Sequence, residues 1–296
     1  MSVCRPRGEG TVSNVSHLRP LRHGQGDFFV ADLRGLSAKD DVASMEHPLF
    51  ALKAGDRGIR RYEHKGNSIE VQPGAKGQAT IHDKDVWIYC ISQLVHALDR
   101  GREDVSRTVR FTAYDFLVAT NRGTGGREYE LLSDALDRLS GTRIKTNIET
   151  SEYREKRGFG LVDAWRVVER RGDNRMVAVE VTLPDWLYRS VLDRQVLTLD
   201  ADYFRLRKPL DRRLYELARK HCGAQSSWKV ALKVLHTKTG STGPLKKFRL
   251  SLKSLADTDE LPGYRVKFDA ESDAVTFYAR KPKGQIKALR DQLKGP

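Results

Sequence analysis

The periodicities of this 296-residue chain predict an α+β protein, two tandem winged-helix domains behind a flexible N-terminal tail. Three observations carry that expectation. The order helix, helix, turn, helix, two-stranded ribbon runs from Lys84 to Leu183 and is repeated from Leu210 to Arg280. The length suffices for two ordinary hydrophobic cores. The charge is uneven: Tyr203 to Ala256 holds 14 Lys and Arg against two acids, Asp211 and Glu216, and so supplies +12 of the formal net charge of +14. A focused basic surface attracts polyanions and releases their counterions, which makes double-stranded DNA the leading partner.

Residues 1–26 are rich in Ser, Arg and Gly with little apolar periodicity, the composition of a disordered tail. An extension, 27–82, follows. Within it Pro73, Gly74 and Gly77 break Glu70 to Ala79 into strands and turns. The first winged-helix domain is assigned to 83–198. Trp87, Ile91, Leu94 and Leu98 recur at helical spacing from Lys84, and Gly101 stops that helix. A β-prone piece, Arg107 to Phe111, precedes a capping box, Thr112 with Asp115, that opens a helix from Ala113 to Thr120. After the turn Asn121 to Gly126, a third helix spans Arg127 to Ser140, with Leu132, Ala135, Leu136 and Leu139 inward. Strands follow at Thr142–Ile148, Trp165–Glu169 and Met176–Leu183, the last two read as a hairpin around Arg170–Arg175.

The second domain is assigned to 199–283, with a basic tail at 284–296. Leu210, Leu214, Leu217 and Ala218 mark its first helix. Trp228 to Thr237 reads as a second helix capped by Ser227. Thr239 to Gly243 is a turn, and Pro244 opens a third helix that runs to Leu255. Gly263–Phe268 and Ala274–Arg280 are strands joined by an acidic turn, Asp269 to Asp273.

On the helix Pro244 to Leu255, a rotation of about 100° per residue places Leu245, Phe248, Leu252 and Leu255 on one arc. Lys246, Arg249, Leu250 and Lys253 fall opposite, with Lys247 and Ser254 at the flanks and no carboxylate among them. A solvated helix ordinarily intersperses acids, so the acid-free face points to an anionic partner. In a helix-turn-helix this helix enters the major groove, where Lys and Arg read guanine N7 and O6 and an apolar side chain meets the thymine methyl. Lys246, Lys247, Arg249, Leu250 and Lys253 are therefore the base-reading candidates. Lys238, Ser241 and Thr242 are candidates for phosphate, as are Arg265 and Lys267 on the strand beyond. The equivalent helix of the first domain mixes signs through Glu128, Glu130, Asp134, Asp137, Arg127 and Arg138. Its expected DNA contacts are limited to Arg122, Arg127, Arg170, Arg171 and Arg175, and its surface equally suits a protein partner.

Other classes are disfavoured. Cys4, Cys90 and Cys222 have neither a disulfide pattern nor zinc spacing. No apolar run is long enough to cross a bilayer, and the N-terminus has no signal-peptide core. A metal-dependent DNA-nicking enzyme with a tyrosine nucleophile needs paired histidines to hold the ion beside it. His17, His23, His47, His64, His82, His96, His221 and His236 never occur as His-x-His. Neither Gly240-Ser-Thr-Gly-Pro-Leu-Lys-Lys nor Thr124-Gly-Gly-Arg ends a phosphate cradle with Gly-Lys-Ser/Thr. No catalytic residue, metal ligand or cofactor is assigned, and the chain is read as a non-enzyme. A transcriptional repressor would use the same fold and the same basic helix.

Four strings, DFFVADLRGLSAKDDVASMEHPLFAL at Asp27–Leu52, TIHDKDVWIYCISQL at Thr80–Leu94, GREYELLSDALDRLSGTRIKTNI at Gly126–Ile148 and LPGYRVKF at Leu261–Phe268, resemble the plasmid replication initiator protein A family. The resemblance covers residues 27 to about 281. It implies a tandem winged-helix initiator that binds repeated sites (iterons) at a plasmid origin and helps open it for the host replication initiator and helicase. It also implies autorepression of its own gene, a homodimer in equilibrium with monomer, and a place on plasmid DNA in the bacterial cytoplasm. Mapped here, the reading role falls to Lys246, Lys247, Arg249 and Lys253, and the dimer role to residues 84–183.

Overall fold

A computed structural model describes residues 37–64, 67–149, 154–172, 176–223 and 225–280. The N-terminal tail, the basic tail and Arg175 lie outside the described residues. The chain begins with β1 (Lys39–Asp41) and α1 (Val42–Glu46), whose N-cap Asp41 accepts from the Ser44 N–H at 2.7 Å. β2 (Arg60–His64) and β3 (Asn67–Gln72) pair as a hairpin. Then come α2 (Asp85–Asp99), β4 (Thr108–Phe111), α3 (Ala113–Ala119) and α4 (Gly126–Gly141). The Thr112 hydroxyl accepts from the Asp115 N–H at 3.1 Å, the expected cap of α3. β5 (Arg143–Glu149), β6 (Arg154–Gly160), β7 (Ala164–Glu169) and β8 (Met176–Thr182) follow, then α5 (Asp185–Leu192) and β9 (Val196–Thr198). The second half holds α6 (Pro209–Cys222), β10 (Ser227–Ala231), α7 (Leu232–Thr239), α8 (Leu245–Thr258), β11 (Tyr264–Asp269) and β12 (Ala274–Ala279).

The two halves repeat one plan: helix, strand, helix, helix, hairpin. Each closes a three-stranded sheet in which the strand before the helix pair adds to the last strand of the hairpin, ordered β4-β8-β7 in one half and β10-β12-β11 in the other. The first half carries an insertion. β5 and β6, between α4 and the hairpin, join β2 and β3 in a four-stranded sheet of order β2-β3-β5-β6. Strands of the extension are thus built into the first half, and Leu49, Phe50, Val71, Ala79 and Ile81 lie in its core. β6 had no signal in the sequence, because Arg-Glu-Lys-Arg-Gly-Phe-Gly lacks apolar alternation.

One expected helix divides in two. Ser227–Ala231 is the strand β10, and the helix begins only at Leu232, so Ser227 caps nothing. The cause is a change of period. Val230 is buried and Trp228 half-buried, while Lys229 and Ala231 are exposed, and Trp228 lies opposite Phe277. From Leu232 the buried positions move to a three-residue spacing, Leu232 and Leu235. The helix expected to end at Leu255 runs on to Thr258, with Phe248, Leu252 and Leu255 buried as its spacing requires and Leu245 half-buried.

A buried charge network joins the halves. Met45 of α1 and Ile88 of α2 belong to the second core. Arg213 of α6 donates to the Ser44, Met45 and Glu46 carbonyls at 3.3, 3.0 and 3.1 Å. Arg212 meets Asp85 of α2 at 2.5 Å, and Arg122 holds the other Asp85 oxygen at 2.8 Å. Lys84 reaches Asp40 at 2.7 Å and Glu216 at 3.1 Å. Burial works to raise the Asp85 pKa, but the Arg212 and Arg122 charges keep it below the ordinary aspartate value. Part of the positive charge in Tyr203–Ala256 is therefore internal and unavailable to any ligand.

Candidate nucleic-acid interface

The α7–α8 turn is set by local contacts. Gly240 caps α7 at φ +71°, a left-handed conformation that favours glycine. A Cβ there would also meet Pro48 at 2.8 Å and the Tyr62 hydroxyl at 3.2 Å, so the turn abuts the first half of the molecule. The His236 ring nitrogen Nε2 lies 2.9 Å from the Gly243 carbonyl, and its ring meets Phe248 edge-on at 4.9 Å. Pro244 then starts α8, which has no acid in its first turn.

From α8, Lys246, Lys247 and Lys253 are exposed, and Leu250 is the most exposed large apolar residue described, at 60%. Arg249 differs from its neighbours. Its guanidinium makes two bonds to the Asp273 carboxylate, Nε to Oδ1 at 3.1 Å and Nη2 to Oδ2 at 2.9 Å. From Lys246 to Lys253 the helix itself carries no acid on this face, but its last turn adds the exposed Asp257 one turn beyond Lys253, and the hairpin supplies another in Asp273.

Beside α8 lies an open groove of about 820 Å³. It brings together Lys253, Arg265 and Lys267, all three expected from sequence, with Phe268, Tyr278 and one acid, Asp257. The Lys253 ammonium stands 5.4 Å over the Phe268 ring, a cation–π contact that holds the long side chain along the wall. Lys229 on β10 shares the outer sheet face with Lys267, since both pair with Thr276 of β12. The helix reading of Trp228–Thr237 hid it; the alternation Trp-Lys-Val-Ala was the signal that could have found it.

Other expected contacts are placed differently. Lys238 is ion-paired with Glu46, which also takes Lys220 at 2.5 Å and His221 at 3.2 Å. The His221 ring beside it, then hydrogen bonds from Lys220 and Lys238, hold the Glu46 carboxyl far below its usual range. Ser241 is half-buried and Thr242 exposed. In the first half, Arg127, Arg170 and Arg171 are exposed. Arg122 is not a surface residue: it bonds Asp85 and the His82 carbonyl, and belongs to the joint between the halves. On α4, Asp134 and Asp137 both bind Lys76, at 2.8 and 2.6 Å.

Among the described residues, no group of three or more His, Cys, Asp and Glu is placed to hold a metal ion, and no helix is long and apolar enough to cross a membrane.

Comparison with known proteins adds independent findings. Residues 39–266 match the family described as replication initiator protein A. A protein of Wigglesworthia glossinidia brevipalpis described as "Putative replication protein" is 43% identical over 257 residues, covering 86% of this chain and 94% of its own length. Two crystal structures of domains 2 and 3 of RctB align with TM-scores of 0.59 and 0.58 at 12% and 13% identity. They cover 86% and 83% of this chain and 100% and 99% of their own. At that identity the likeness shows a shared fold alone.

Proposed function

The chain belongs to the replication initiator protein A family, and on that premise we propose that it starts replication by binding repeated duplex sites at a plasmid origin through α8. The observation that carries this reading is the α8 face: three exposed lysines and Leu250 with no helix acid between Lys246 and Lys253, beside a groove with three cations and a single acid, Asp257. In this reading both halves are winged helices, α8 is the recognition helix, and β11–β12 is the wing. Lys246, Lys247 and Lys253 contact bases or the phosphates that frame them, Leu250 meets a thymine methyl, and Arg265, Lys267 and Lys229 follow the backbone. Phosphate contacts position the protein, and base contacts select the repeat.

The first half is assigned to dimerisation, with peripheral phosphate contacts at Arg127, Arg170 and Arg171. Its α4 face carries acids where a DNA-facing helix would carry cations, which supports a protein partner there. The bound protein helps open the origin for the host replication initiator and helicase, the same binding represses the protein's own gene, and the setting is plasmid DNA in the bacterial cytoplasm. The role is binding rather than strand cutting, a reading supported by the lack of a His-x-His pair in the sequence.

Mobility shift and footprinting on fragments of the parent plasmid test the proposal. Regularly spaced direct repeats beside an AT-rich stretch are expected to be protected. Protection of a promoter palindrome alone would replace the initiator with a repressor. Supplying the protein in trans to a plasmid that carries only its origin separates the two again, because a pure repressor restores no replication.

A further inference from the structure

One residue of the β11–β12 turn is bonded to both helices of the helix-turn-helix unit. Asp273 lies at the end of the turn between β11 and β12, at φ +46°. Its carbonyl accepts from the Leu232 N–H at 2.9 Å, fixing the turn to the start of α7. Its carboxylate takes both donors of Arg249 on α8. The neighbouring acid of the turn is otherwise engaged: Asp269 accepts from the Ser272 hydroxyl at 2.5 Å and from the Glu271 and Ser272 N–H groups at 3.0 and 3.3 Å. The carboxylate of Asp273 is thus held in place by its backbone and aimed at one cation of the reading face.

We propose that Asp273 is a positioning residue that sets DNA specificity by clasping Arg249 until a guanine edge replaces it. This rests on the reading of α8 as the DNA-reading helix. A guanidinium fork fits two acceptors side by side, and the guanine edge presents such a pair in O6 and N7. Exchange of Asp273 for guanine therefore conserves both bonds. Contact with backbone phosphate is different. Nonspecific affinity comes from releasing counterions as cations meet phosphates. Arg249 already has an internal counterion, so it has none to release, and opening the clasp leaves a carboxylate beside the anionic backbone. Lys246, Lys247 and Lys253 carry the general attraction, whereas Arg249 joins only where the sequence rewards it.

The test uses the full chain and two probes, a short duplex of random sequence and the duplex that the wild-type protein selects from a randomised pool. Asp273→Asn removes the charge and keeps a residue type tolerant of positive φ. Its binding to the random duplex should become more salt-dependent, the slope of log affinity against log salt steepening by about one. Its preference for the selected duplex should fall several-fold. Arg249→Ala should lose that preference as well, and adding Asp273→Asn to Arg249→Ala should change the preference no further. If Asp273→Asn fails to fold, Asp273→Gly, which suits the same φ, takes its place. A variant with wild-type slope and preference overturns the clasp, as does an equal effect of Asp273→Asn with and without Arg249. Lys246→Ala with Lys247→Ala separates the two levels of inference. If that pair leaves both affinities unchanged, the reading of α8 fails and the clasp fails with it. If the pair weakens binding while Asp273→Asn is silent, only the clasp is lost.

Discussion

α4 and α8 are the same element carrying opposite surfaces. Their large buried residues have the same spacing, Leu132, Leu136 and Leu139 in α4 and Phe248, Leu252 and Leu255 in α8, with Ala135 buried besides in α4. Aligned on those positions, Glu130 falls where α8 has Lys246, Leu131 where it has Lys247, Asp134 where it has Leu250 and Asp137 where it has Lys253. The buried side sets the docking of the helix, and the exposed side sets what can approach it. One scaffold thus presents an acidic face in the first half and a cationic face in the second.

The largest change expected from breaking this comparison is in the shared buried side. Phe248→Ala and Leu136→Ala should each destabilise the protein, by about 3–5 and about 2–5 kcal/mol, read by denaturant unfolding. A Phe248→Ala melt equal to wild type would put the α8 face in the wrong phase. On the exposed side, Lys246→Ala with Lys247→Ala should leave stability within about 0.5 kcal/mol. The salt slope for DNA binding should fall by about two. The reciprocal change, Glu130→Lys with Asp134→Lys on α4, should add salt-dependent binding without sequence preference. A gain in preference there would mean that the two helices share a reading role.

Gly240→Ala acts between the two faces. The left-handed φ costs an alanine about 1–2 kcal/mol, and Pro48 must shift to admit the Cβ. The expected result is a lower melting temperature together with weaker DNA binding, as the turn before α8 moves off the first half. The smallest effect is a pH dependence in the joint. Burial, opposed by Lys84, raises the Asp40 carboxyl from 3.8 to about 7. The folded protein then keeps a proton that the unfolded chain releases, so stability from this group is complete below about pH 4 and is lost as pH rises to about 7. Glu46, with its pKa lowered, acts in the opposite sense, losing stability as pH falls below 4.5. Asp40→Asn should flatten the melting temperature between those limits, modestly because Lys84 retains Glu216. An unchanged pH profile would place the titration elsewhere.

Where burial followed a clear period, the sequence was legible. The stripes of α2, α4, α6 and α8, the Thr112 cap and both hairpins were all expected. Short elements with mixed signals were not. Trp-Lys-Val-Ala-Leu-Lys-Val-Leu satisfies a helical reading until the strand β12 claims its first half. α5 was passed over, and β6 is too polar to register. Counting charge singled out one half of the molecule but not which of its cations face out. Arg212 and Arg213 are adjacent in sequence and both buried, at 1% and 2% exposure, because α6 is enclosed on both sides at the joint. Only tertiary structure could show that these two are internal, or that Lys238, Arg122 and Arg249 are already engaged with acids of the chain.

Met45 and Ile88 give the joint a thermodynamic consequence. They issue from the first half and are wholly buried in the core of the second. The second core is incomplete without them, and parting the halves would break the Arg212–Asp85 and Lys84–Glu216 pairs and leave Arg212 without a carboxylate, at several kcal/mol. Unfolding is then a single cooperative event across both halves rather than two successive melts, and damage to either core is felt as loss of the whole molecule.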